Sequence, residues 1–172
     1  SGKKSGFDVV IGNPPFLGGH RITRYTGDQY RNYLVDHIAL RKRGSVDLCV
    51  YFYLRANTLI GSDGMASLIA TDGLAAGENS EVGLKTIVDL GATIFRGNSN
   101  LPWPGAAGVY ICITFWTKAQ WLGEYVLNEI KCDGITSKLS INDIDLPKPQ
   151  RLNNRVIGAF VGTNVNGEGF LL

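Results

Sequence analysis

Asn13-Pro14-Pro15-Phe16 is the stretch of this chain whose residue types and spacing could do chemistry. A residue before proline is pushed to extended backbone, and each proline holds φ at about −65°. Neither proline carries an N–H, so the backbone here offers carbonyl acceptors and almost no donors. The Asn13 side chain and the Pro14 main chain make a rigid acceptor pair, with the aromatic face of Phe16 close by in sequence. Such an arrangement can hold a planar group by its two amino hydrogens and stack on its ring. The same residues are also accounted for by a strand, a Pro-Pro turn and a packed phenylalanine.

The chemistry that fits is methylation of the exocyclic amine of an adenine taken out of a DNA stack. The N6 lone pair is delocalised into the ring and is a poor nucleophile. Two hydrogen bonds, one per amino hydrogen, would draw the nitrogen towards a tetrahedral geometry and aim its lone pair at a methyl sulfonium. No base is needed before attack, so the work is positioning and electrostatics. Stacking on Phe16 would return about 1–3 kcal/mol of the cost of flipping the base.

The elements that must position these residues can be read around them. Val9 to Ile11 is an apolar run expected as a buried strand of a parallel sheet, stopping at Gly12. Leu17 to Gly27 is expected as a polar loop at the carboxyl edge of that sheet, carrying His20, Arg21, Arg24 and Tyr25 towards DNA or solvent. Asp28 then caps a helix with Tyr30, Tyr33, Leu34 and Ile38 at helical spacing, ending in Arg41-Lys42-Arg43 and stopped by Gly44. That basic cluster suits the negative end of a helix dipole or, as a sharper alternative, a phosphate contact. Ser45 or Asp47 opens the next helix, which carries Leu48, Tyr51, Phe52 and Leu59.

Gly61 to Gly64 reads as a turn and Met65 to Ala70 as a second strand, closed by Thr71-Asp72-Gly73 at the same edge as Asn13. A helix over Glu81 to Leu90 and a strand over Ala92 to Phe95 follow. A long loop, Arg96 to Gly108, then holds Trp103 between two prolines. Val109 to Trp116 and Glu124 to Lys131 alternate well enough to pair as an antiparallel hairpin. From Asp143 the character changes: Asp145-Leu146-Pro147-Lys148-Pro149 is a stiff linker, and Leu152 to Leu172 is polar and rich in Gly and Asn.

Asp8-Val9-Val10-Ile11-Gly12-Asn13-Pro14-Pro15-Phe16 resembles the catalytic motif of adenine-N6 DNA methyltransferases. Val46 to Phe52 and Asn98 to Ala107 resemble the corresponding stretches of type IIG-like restriction–modification enzymes. The resemblance covers most of the chain. It implies an α/β fold: the second half of a Rossmann-like S-adenosylmethionine-dependent methyltransferase sheet, ending in an antiparallel β-hairpin. Residues 1–142 would be the catalytic half of a methyltransferase domain, and 143–172 a linker and the start of a target-recognition region.

The resemblance further implies that Asn13, Pro14, Pro15 and Phe16 are catalytic, and that Phe52 and Leu48 border the adenine of S-adenosylmethionine. Trp103 would contact the target base from the side opposite Phe16. The partner would be double-stranded DNA with a flipped adenine, in a cytoplasmic bacterial or archaeal enzyme. The Gly-rich donor turn and the ribose-binding acid expected of such a site are not found ahead of Asn13. The donor site is therefore expected to be incomplete and the chain inactive alone, with an exposed first-strand edge open to self-association.

Composition bounds these readings without deciding them. The 172 residues suit one domain with its own core, and 44% hydrophobic with 19% charged residues is globular. A net charge of +2 is too small to argue for nucleic acid. The three cysteines, Cys49, Cys112 and Cys132, lie far apart and read as reduced thiols. His20 and His37 make no plausible metal site, no apolar run approaches membrane-spanning length, and no metal or membrane is expected. Two other readings stay open: an enzyme methylating guanine in RNA or a glutamine side-chain amide, and a non-catalytic DNA-binding segment.

Overall fold

A computed structural model of the chain describes residues 6–105 and 107–141. The expected linker and target-recognition region at 143–172 lies outside the described residues. Six strands form one mixed sheet in the order β1-β2-β4-β3-β5-β6. They are β1 Phe7–Gly12, β2 Ile60–Thr71, β3 Thr93–Pro102, β4 Tyr110–Thr117, β5 Tyr125–Leu127 and β6 Ile130–Cys132. β1 runs parallel to β2, and β3 parallel to β5; β4 is antiparallel to both β2 and β3. It follows that β1, β2 and β3 share a direction and present their carboxyl ends at one edge. The fold is a Rossmann-like α/β sheet ending in an antiparallel hairpin, as expected.

The central helix, α2 (Leu48–Leu59), explains where the core sits. Cys49, Val50, Tyr51, Tyr53, Leu54, Ala56 and Asn57 are all buried, so most of its circumference faces protein. Period-2 alternation and the strand register put Val10, Ala66, Leu68, Ala70, Cys112, Thr114 and Trp116 on one sheet face. Tyr53 stacks on Trp116 with centroids 5.1 Å apart. Its hydroxyl donates to the Leu68 carbonyl (2.7 Å) and accepts from Thr114 Oγ1 (2.9 Å). Trp116 Nε1 donates to Asn57 Oδ1 at 3.2 Å. Every polar atom in this buried cluster is paired, so α2 is held on the sheet in one register.

β1 is a strand, as expected, but it is not buried. Val9 is 56% and Ile11 78% exposed, while only Val10 packs against the core. The reason is position: β1 is the outermost strand among the described residues, and α2 covers one of its faces.

Several local expectations are corrected. The stretch 17–27 is helical from its third residue. Helix α1 (Gly19–Tyr33) includes it, bent at Gly27, whose φ of 80° and ψ of 167° separate two helical pieces. Ile22, 1% exposed, anchors the first piece, while His20, Arg21, Arg24 and Tyr25 stay on the surface. A Cβ on Gly19 would lie 2.5 Å from the Ser45 carbonyl carbon, so the helix starts where only glycine lets two backbones touch. That contact is tertiary, and the local sequence does not announce it.

The helical run then ends in a π-turn, Leu34–Ile38, with Leu40 and Arg41 in the left-handed region; Gly44 is not the stop. In the basic cluster, Lys42 Nζ donates to Thr86 Oγ1 at 2.7 Å, tying this turn to α4 (Leu84–Asp89). The helix expected at 81–90 is two, α3 (Gly77–Val82) and α4, broken at Gly83. The expected turn at 61–64 is a bulge within β2: Phe7 pairs with Ile60 but Val9 with Met65.

The last correction concerns the hairpin. Residues 96–102, expected as loop, continue β3 and pair with β4. The segment 124–131 does not pair with β4. Its β5 joins β3 instead, and the terminal hairpin is β5–β6, turned through Asn128 and Glu129, both at positive φ. Alternation identified the strands; the partners were set by the sheet order.

Candidate functional site

The carboxyl edge of the sheet gathers the candidate residues. Gly12 ends β1, and Asn13, exposed, begins the loop that leads to buried Pro14, exposed Pro15 and half-buried Phe16. Below this loop a cleft of about 300 Å³ is lined by Val10 to Pro15 on one side and by Phe52, Arg55, Ala56 and Leu59 of α2 on the other. Asn13, Pro14, Pro15 and Phe52 therefore share one wall system. Phe16 and Leu48 do not line the cleft; both pack against the core. Phe52 is 43% exposed and also walls a second hollow of about 180 Å³, with Tyr30, Tyr33, Leu34, Ile38, Tyr51 and Arg55.

Trp103 follows directly on β3 and so lies at the same edge as Asn13. The strand order separates them by three strand spacings, about 14 Å along the sheet. Trp103 is half-buried in the β3–β4 turn, and its N–H donates to the Val109 carbonyl at 2.9 Å. The structure places it on the same rim but not in the cleft wall.

Two residues outside the predicted site set, Asp47 and Asn79, hold the Asn13 loop. Asp47 caps α2, its Oδ1 accepting from Cys49 N at 3.0 Å. The same oxygen accepts from Leu17 N at 3.1 Å, and the Leu17 carbonyl accepts from Leu48 N at 2.8 Å. Asn79, on α3, accepts from Asp47 N at 2.8 Å and donates through Nδ2 to the Gly73 carbonyl at 3.1 Å. Asp72 Oδ1 in turn accepts from Asn100 N at 2.8 Å. The signal for Asp47 was its place before an apolar helical run. No local signal marked Asn79 as part of the loop's support, because the Asp47 N–H it accepts from lies 32 residues away in sequence.

The electrostatics of the cleft are simple. Arg55 is the one ionisable side chain among the cleft's lining residues. The nearby buried groups are held neutral: burial, with Asp47 alongside, pushes the Cys49 thiol far up, and burial pushes Cys112 up to about 12. Burial also raises the Tyr53 and Tyr51 hydroxyls. The cleft thus offers acceptors, an aromatic face and aliphatic walls, and no group poised as a general base at neutral pH.

This wall suits the adenine of an S-adenosyl donor in kind: a flat ring can lie against Phe52, with Leu59, Ala56 and Val10 as apolar neighbours. No carboxylate that could take ribose hydroxyls lines it.

The comparisons with known proteins bear on the family and on the fold. The model of the Eco57I restriction-modification methylase family matches residues 1–89, which include Asn13 to Phe16, Asp47, Phe52 and Asn79 but not Trp103. Among solved structures, the type IIL restriction-modification enzyme MmeI, determined in complex with DNA, is similar in fold, with a TM-score of 0.61 at 19% identity. The likeness covers 77% of this chain and 19% of the MmeI chain, so the chain spans about a fifth of that protein's length. No curated protein matches.

Proposed function

The chain belongs to the Eco57I restriction-modification methylase family, and on that premise we propose that it carries the amine-positioning half of a DNA methyltransferase acting on N6 of adenine. The observation that carries the reading is the placement of Asn13-Pro14-Pro15 at the carboxyl end of β1, over a cleft walled by Phe52. In this reading the target is double-stranded DNA with its adenine flipped out of the stack. The protein is a cytoplasmic one, the setting of restriction–modification.

The Asn13 carboxamide oxygen and the Pro14 carbonyl each accept one hydrogen of the adenine amine. Both acceptors are held by proline-fixed backbone, so little reorganisation is needed as the nitrogen becomes tetrahedral and its lone pair turns outward. Phe16 stacks on the base, with its ring backed by the core, and Trp103 approaches along the rim. Phe52, and behind it Leu48, borders the donor's adenine. S-adenosylmethionine, when bound, supplies an electrophilic methyl group on sulfur. The nitrogen lone pair would form its bond to that carbon as the carbon–sulfur bond breaks and its electron pair stays with sulfur, leaving a neutral thioether. The positively charged nitrogen would then lose a proton to solvent, since no base is needed before attack and the walls of the cleft provide none.

The test uses the full-length protein with S-adenosylmethionine carrying a labelled methyl group and duplex DNA. Labelled N6-methyladenine in the digested DNA is the expected product. Label on cytosine, on RNA or on a glutamine side chain, with none on adenine, would reject the assignment.

A further inference from the structure

We propose that Asp47 and Asn79 are positioning residues that set the orientation of Asn13, through a clamp on Leu17. This rests on the reading of Asn13 as the residue that holds the amine. Asn13 stands four residues before Leu17, and the intervening chain has little freedom: Pro14 and Pro15 fix their φ, and Phe16 is packed on the core. Fixing Leu17 therefore fixes the far end of a short, stiff arm whose tip is Asn13.

Leu17 is fixed on both of its backbone groups. Its N–H donates to Asp47 Oδ1 at 3.1 Å, and its carbonyl accepts from Leu48 N at 2.8 Å. Asp47 is itself tethered, since its N–H donates to Asn79 Oδ1 at 2.8 Å, two residues after Ser45 N donates to Glu78 Oε2 at 2.6 Å. Asn79 also reaches the Gly73 carbonyl at 3.1 Å, in the turn that follows β2. The loop after β1, the start of α2 and the turn after β2 are thus joined side chain to backbone. The sheet and α2 supply the rigid body; this set of bonds transfers its rigidity to the loop.

One atom makes the proposal testable. Asp47 Oδ1 takes both bonds, the clamp on Leu17 and the cap on Cys49. An asparagine carbonyl can accept the same pair, so Asp47→Asn should keep both. Glycine is nearly as good a helix cap as aspartate but has no side chain, so Asp47→Gly keeps most of the cap and loses the clamp. The two variants separate positioning from helix stability.

The measurements are hydrogen exchange and single-turnover methylation on the full-length protein. Pro14 and Pro15 have no amide, so exchange in a peptide covering residues 13–17 is dominated by Phe16 and Leu17. In Asp47→Gly we expect faster exchange in that peptide and a methylation rate lower by about 100-fold, the cost of a misplacement near an ångström. Donor affinity and melting temperature should stay close to the unsubstituted protein's. Asp47→Asn should restore both exchange protection and rate, and Asn79→Ala should lower the rate in the same direction by less. Unchanged protection at Leu17 in Asp47→Gly overturns the clamp even if the unsubstituted protein is an active methylase. A rate loss that Asp47→Asn fails to restore assigns Asp47 to charge instead and overturns it too. An unsubstituted protein that transfers no methyl group to DNA overturns the reading of Asn13 and the positioning role with it.

Discussion

Two turns sit on the same rim of the sheet and are built in opposite ways. The turn after β1 has two consecutive prolines, a buried Pro14, and a backbone bonded to Asp47 and Leu48. The turn after β3 is a hairpin loop in which, among the described residues, Trp103 N donates to the Val109 carbonyl and Val109 N to the Ala107 carbonyl, both bonds internal to the loop. It is approached through Asn100 at positive φ and contains Gly105. A hydrogen bond must be aimed within tenths of an ångström, whereas a stacked ring tolerates sliding. The first turn has the construction of a site that aims; the second has that of a surface that leans.

The largest effect that would sharpen this contrast is at the tip of the first turn. Asn13→Ala should lower the single-turnover methylation rate by about 10²–10³-fold, the loss seen when one preorganised polar group is removed from a transition state. Donor binding by calorimetry should change little, because Asn13 faces the base. A near-normal rate in this variant would remove Asn13 from the mechanism and erase the contrast.

Next in size is the scaffold beneath both turns. Tyr53→Phe deletes a hydroxyl that bridges Leu68 and Thr114 in the buried core, and should destabilise the fold by about 1–3 kcal/mol. Chemical denaturation measures it. No loss would mean that the Tyr53 hydroxyl contributes nothing to holding α2 on the sheet.

The aromatics come third and compare the turns directly. Phe16→Ala and Trp103→Ala should each weaken capture of a flipped base by about 1–3 kcal/mol at most, with Trp103 the smaller. Fluorescence of 2-aminopurine at the target position reports it. Because Phe16 also packs on the core and Trp103 does not, only Phe16→Ala should lower the melting temperature as well. Equal melting losses for both would contradict the different construction of the turns.

The smallest effect lies beyond the second turn. Glu129 in the β5–β6 turn accepts hydrogen bonds from Asn98 and Arg96, which hold its carboxyl below the usual range. Because the folded value is depressed, its contribution is present above the ordinary glutamate pKa and fades as pH falls through the lowered one. The group is fully exposed, so Glu129→Gln should barely alter the acid limb of a stability–pH curve. A large change there would show that this end of the sheet is more tightly coupled than its exposure implies.

Local chemistry decided much of this molecule. Gly12-Asn13-Pro14-Pro15 can end a strand in few ways, because proline removes donors and fixes φ, so the acceptor-rich turn was legible from residue types. Ser45 and Asp47 ahead of Leu48-Cys49-Val50-Tyr51 announced α2, because both side chains can satisfy the free N–H groups of a helix start, and the structure chose Asp47. The first strand was legible as an apolar run, and the segments 109–116 and 124–131 as strands from alternation. Tertiary structure alone decided the rest. Helix from Gly19 depends on backbone contact with Ser45, and β5 pairs with β3 rather than β4 because sheet order, not periodicity, chooses partners. Val9 and Ile11 stand exposed because only one face of β1 is covered. The clamp on Leu17 spans 30 residues of sequence, and the tether from Asp47 to Asn79 spans 32. No local rule encodes such distances; the packed sheet and helices bring those atoms within reach.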